Sequence, residues 1–186
     1  MREGTEARYI KRLDRPPDPE IQNRSELGED AVVLFINSEF PGMEARISTQ
    51  QEDSGVKDQG SGPAVDAVIS KDGKPIIGAQ ITTAEAAKTK AIKMKELADQ
   101  PFVRVEGMKP QDPKIPKALI FLDRKSVPKD LNNFDFQRHP ELTIQILNGF
   151  INSLKFDLAQ TKNPTEQRAI QELIVMFEDE KKKYIH

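Results

Sequence analysis

The sequence predicts an α/β domain built as helix, three strands, helix and strand, closed by a C-terminal helical hairpin. Three observations carry that prediction. Two short apolar runs, residues 64–70 and 75–82, flank an Asp72-Gly73 pair and lead directly into a helical pattern. Residues 117–122 form a near-continuous apolar run, the pattern of a strand buried on both faces. The last third of the chain repeats apolar residues every three or four positions, with two strong helix starts.

The elements follow in order. Residues 1–22 are rich in charge and proline, including Pro16, Pro17 and Pro19, and read as an extended arm preceding one domain over 23–186. Asn23 with Glu26 is a capping-box pattern that opens a helix, and Leu27, Ala31, Leu34 and Phe35 give it one apolar face. Pro41 and Gly42 stop it. Residues 43–49 alternate as a half-exposed strand, with Ala45 and Ile47 on one side. Residues 50–62 are polar, glycine-rich and without period, a long loop between two strands. Thr82 with Glu85 suggests a second capping box, starting a helix whose apolar stripe is Ala87, Ala91, Met94 and Ala98. Residues 102–105 read as a short strand, and 108–116 as a Pro- and Lys-rich connector. Pro140 suits a first helical position, and Leu147, Ile151, Leu154 and Leu158 form a stripe behind it. Asn163, Pro164 and Glu166 start the final helix, with Ile170, Leu173, Ile174 and Phe177 facing inward.

Composition narrows the function classes. The 186 residues suit one domain. A formal charge of −2 excludes a global basic field, so contact with DNA or RNA would need a local patch. The absence of cysteine excludes disulfides, thiolate metal sites and cysteine nucleophiles. Residues 1–6 lack the apolar core of a signal peptide, and no apolar run approaches the ~18 residues of a membrane span. The expectation is a cytoplasmic, soluble protein with no membrane partner.

The hairpin carries the chemistry. With a three-residue loop over Lys71, Asp72 and Gly73, Ser70 pairs with Lys74, Val68 with Ile76 and Asp66 with Gly78. Asp66, Gly78, Gln80 and Thr82 then share one face, with Val65, Ala67, Ile69, Ile77, Ala79 and Ile81 on the other. A two-residue loop would instead set Asp66 against Ala79.

This layout resembles the core of the PD-(D/E)XK nuclease superfamily, the restriction-endonuclease-like fold, over about residues 23–124. The resemblance implies that Asp66 binds a divalent metal such as Mg2+, that Gln80 stands where a second acid belongs, and that Thr82 stands where a lysine belongs. It also implies that Glu29 on the first helix is a second metal ligand and that Lys88 serves as a displaced catalytic lysine. A hard cation needs converging carboxylate oxygens, and Gln80 offers only a neutral one. The implied function is a nuclease-fold protein that acts on or binds nucleic acid, divergent or catalytically impaired. Lys88, Lys90 and Lys95 would then contact phosphate. Two blander readings stand beside it. Asp66 suits a solvated strand face and the lysines a solvated helix face, and the C-terminal helices (164–184) suit a protein partner or homo-oligomer. His139 fits a helix start rather than a metal site.

Overall fold

The structure, a computed structural model, describes residues 19–49, 65–83 and 86–185. The expected arm over 1–18 and the loop over 50–62 lie outside the described residues. Helix α1 spans Pro19–Glu39 and is followed by strand β1, Met43–Ile47. Asn23 therefore lies within α1 rather than capping it. Proline at a helix start sacrifices only an N–H that would be unpaired anyway, so Pro19 allows the earlier beginning. Strands β2 (Ala67–Lys71) and β3 (Lys74–Thr82) lead to helix α2 (Ala87–Asp99), strand β4 (Phe102–Val103) and strand β5 (Ile115–Phe121). A 3-10 turn at Phe136–Arg138 precedes helices α3 (Pro140–Gln160) and α4 (Pro164–Lys182).

The five strands form one mixed sheet in the order β1-β2-β3-β5-β4. Its first three strands run antiparallel, β5 is parallel to β3, and β4 is antiparallel to β5. The turn differs from expectation. Asp72 and Gly73 both have positive φ, 51° and 72°, and Lys71 pairs directly with Lys74, so the loop has two residues. Ser70 then pairs with Pro75, but Ile69 pairs with Ile77, which leaves Ile76 as a bulge. Proline has no N–H to give the ladder, and Pro75 sits where the ladder breaks.

One face of the sheet presents Ala45, Ala67, Ile69, Ile77, Ala79, Ile81, Ala118 and Ile120 to α1, α3 and α4, which fill the main core. Phe150 stacks on Phe177 at 4.6 Å between ring centroids, and Phe40 meets Phe177 edge-on at 5.2 Å. At Gly149, a Cβ would lie 2.9 Å from Ile120 Cα, so glycine is what lets α3 approach β5. His139 is the N-cap residue of α3 and stacks on Phe134, while the Asn163 side chain accepts the Thr165 N–H at the start of α4.

The opposite face is thinner. Its apolar cluster is Val65, Val68, Val103, Val105 and Ile115. Val65 was expected behind Ala67; the bend at Asp66 breaks the alternation and turns it to this side. Helix α2 lies over this face, with Lys90 Nζ 5.7 Å from the Phe121 ring centroid. Its expected apolar stripe is overturned: Ala87, Ala91, Met94 and Ala98 are exposed, and Leu97 is its one buried residue. Thr89, Lys93 and Glu96 share the inward side with Leu97. Alanines contribute too little burial to orient a helix against one well-placed leucine. The expected start at Thr82 is also replaced. Thr82 ends β3, and α2 takes Ala86 as its N-cap without a side-chain bond.

Both sheet edges are closed by side chains. The Asn37 amide donates to Ala45 O (3.0 Å) and accepts from Ala45 N (2.8 Å), mimicking a neighbouring strand beside β1. On β5, beyond the two residues paired with β4, the Ser153 hydroxyl accepts the Leu119 N–H at 2.8 Å.

Candidate functional site

Asp66 precedes β2 and extends its ladder by one step. Its N–H donates to Ala79 O at 2.7 Å, and its carbonyl accepts from Ser48 N at 2.9 Å. Its carboxylate Oδ2 accepts the Ile81 N–H at 2.7 Å. Since Ala67 pairs with Ala79, Asp66 stands across from Gln80. The expected neighbours are therefore adjacent for a different reason. A two-residue turn alone would have set Asp66 against Ala79, and the bulge at Ile76 restores the juxtaposition.

Gln80 is buried on the α2 side of the sheet, between core-facing Ala79 and Ile81, and its Oε1 has no hydrogen-bond partner. Thr82 is half-buried at the strand end. Glu29 is buried on α1, next to Gly28, which packs against Thr83, Leu122 and Val127 beyond the ends of β3 and β5. Its Oε2 also has no hydrogen-bond partner. Among the described residues no three His, Asp or Glu side chains gather into a metal-holding group around Asp66 or Glu29. Lys88, Lys90 and Lys95 are exposed on α2, with Lys90 folded back over Phe121.

The sequence reading missed Lys117. It was counted within an apolar run, yet it is 0% exposed and its Nζ has no hydrogen-bond partner. In β5 its neighbours Ala118 and Ile120 face the main core, so Lys117 points toward α2. Burial lowers its pKa to about 8; Glu96, Asp66 and Asp157 oppose that shift, and Lys93 adds to it. Lys93 is itself paired with Glu96 at 3.0 Å. Asp157 on α3 is also 0% exposed, with both carboxylate oxygens unpartnered, and burial raises its pKa to about 8. A charged residue within an otherwise apolar strand was the one available signal.

This arrangement holds one carboxylate tied to the backbone, one neutral amide and one enclosed amine. A hard divalent cation binds through several converging carboxylate oxygens, and the hairpin supplies a single carboxylate. Lys117 can exchange a proton near neutral pH, but its full enclosure keeps it from touching a substrate phosphate in this conformation. No family model matches the chain, and no curated protein or solved structure matches it either. Among the described residues no helix is long and apolar enough to cross a membrane.

Proposed function

We propose that this chain is a divergent nuclease-fold domain that binds nucleic acid without cleaving it through a two-carboxylate metal centre. One observation carries the reading: the residue across from Asp66 is Gln80, and the Asp66 carboxylate already accepts the Ile81 N–H. The topology supports the fold half of the reading. A helix, an antiparallel three-strand meander, a helix and a strand parallel to the third follow the order of that superfamily's core. Lys88 and Lys95 support the binding half, because both are exposed on α2 and neither forms an ion pair with a described residue. Lysines that neutralise phosphates release counterions, so affinity should fall linearly with the logarithm of salt.

Fluorescence anisotropy with labelled single-stranded DNA, duplex DNA and RNA tests this directly. Replacing Lys88, Lys90 and Lys95 with alanine should weaken binding and reduce the salt slope by up to about 3. Asp66→Asn should leave binding unchanged, and neither protein should cleave in Mg2+ or Mn2+. Cleavage that disappears in Asp66→Asn would make the protein an enzyme and overturn the reading. A second reading is favoured by the exposed apolar residues of α2, Ile92 and Met94, which are 50% and 51% exposed. A partner protein docked there would bind with little dependence on salt.

A further inference from the structure

Helix α2 is the most weakly anchored of the four helices. Of its 13 residues only Leu97 is buried, against nine of the 21 in α3. No side chain of α2 forms a hydrogen bond or ion pair with a described residue outside the helix, and its one salt bridge, Lys93 to Glu96, is internal. Its N-cap, Ala86, offers no side-chain bond. Leu97 and the contact of Lys90 with Phe121 are its main attachments. Helices held by few buried apolar contacts are the parts of a fold that open locally.

What α2 covers is polar. Lys117 pairs with Gly78, and Gln80 lies two residues further along β3, so the two side chains are diagonal neighbours on the α2 side of the sheet. Both residues are buried, and neither Lys117 Nζ nor Gln80 Oε1 has a hydrogen-bond partner. Glu96 on α2 attracts the amine, but that carboxylate is already paired with Lys93; Asp66 and Asp157 attract it from the hairpin and from α3. Enclosure without a hydrogen bond costs free energy that contact with water would return. Asp157 is unpartnered as well, yet it sits among the buried residues of α3, where water enters only by breaking the main core. Lys117 and Gln80 need only α2 to move.

We propose that α2 is a lid: driven by the enclosed amine, it lifts as a unit from an intact sheet and core and uncovers a polar site floored by Gln80 and Lys117 beside Asp66. The chain has no cysteine, so a single introduced thiol reports on a single position. Gln80→Cys places a thiol under α2, and Ala79→Cys places one on the core side of the same strand. Dithionitrobenzoate should label position 80 at least tenfold faster than position 79. Urea at about 1 M should accelerate labelling only at position 79, because a local opening exposes little new surface. Adding Lys117→Met to Gln80→Cys should slow labelling about tenfold, and adding Leu97→Ala should speed it at least tenfold. Hydrogen exchange of the unsubstituted chain gives an independent reading. Amides of α2 should exchange faster than those of α3 and with little dependence on urea. None of these readouts requires nucleic-acid binding. Equal labelling rates with equal urea dependence at positions 79 and 80, or equal protection of α2 and α3, would mean that α2 leaves only with the whole fold and would overturn the proposal. Unchanged labelling of position 80 in the Lys117→Met background would overturn it too, by removing the amine as the cause.

Discussion

The two faces of the sheet are built on different principles. Toward α1, α3 and α4 the sheet presents alanine and isoleucine to interlocking phenylalanines. Toward α2 a few valines share the surface with a buried glutamine and a buried lysine whose polar atoms lack partners. The first face holds the fold together. The second is thinner, and its buried glutamine and lysine cost free energy where they lack hydrogen bonds, as Asp157 does on α3.

That contrast predicts unequal costs of truncation. Phe177→Ala should destabilise by about 3–5 kcal/mol, because a fully buried ring touching Phe40 and Phe150 leaves a cavity the core cannot close. On the thin face Val68→Ala removes two methyl groups and should cost about 2 kcal/mol. Urea denaturation measures both. Equal losses would show that the thin face is as structural as the thick one.

The enclosed amine and carboxylate give the next largest effect. Burying an ionisable group without a hydrogen-bond partner costs free energy, so Lys117→Met with Asp157→Leu should raise stability. The single variants separate the two groups by pH. Asp157 binds its proton more tightly when folded, so its contribution is lost as pH rises from about 4 to about 8. Lys117 releases its proton more readily when folded, so its contribution is gained as pH rises from about 8 toward 10.5. Lys117→Met should therefore leave only the falling limb and Asp157→Asn only the rising one, each at up to about 1.4 kcal/mol per pH unit. Denaturation midpoints between pH 5 and 10 would show it. Flat profiles in both variants would mean that neither group is desolvated as its burial implies.

Which features the sequence disclosed follows from how local their causes are. Pro140, Asn163 and Pro164 act within one helical turn, and the helices start where those residues stand. The main core was legible because its alternation on β1 and β3 and its 3.6-residue period on α1 and α3 repeat over many positions. The turn was misread because its type is settled by pairing further along, at the Pro75 break, which no local count registers. Helix α2 was turned the wrong way because its alanines are weakly apolar, and a single leucine with a Lys93–Glu96 pair beside it decided the inward side. Lys117 was passed over because its burial is imposed by α2 and α3, from outside its own strand.

The sheet edges make the smallest and most local test of the comparison. Ser153 is buried on the phenylalanine-rich side of the molecule, and Asn37 stands at the exposed edge. Ser153→Ala would strip the enclosed Leu119 N–H of its acceptor and should cost about 1–3 kcal/mol. Asn37→Ala frees both polar groups of Ala45, but water can reach that edge, so its cost should stay near 0.5–1.5 kcal/mol. The sharper readout there is association. Unmasking β1 leaves a strand with unpaired N–H and C=O groups, a template for a second chain, so light scattering should show concentration-dependent growth in Asn37→Ala and none in Ser153→Ala. If both variants stay monodisperse and lose equal stability, Asn37 is only a hydrogen-bonding residue and its strand mimicry guards nothing.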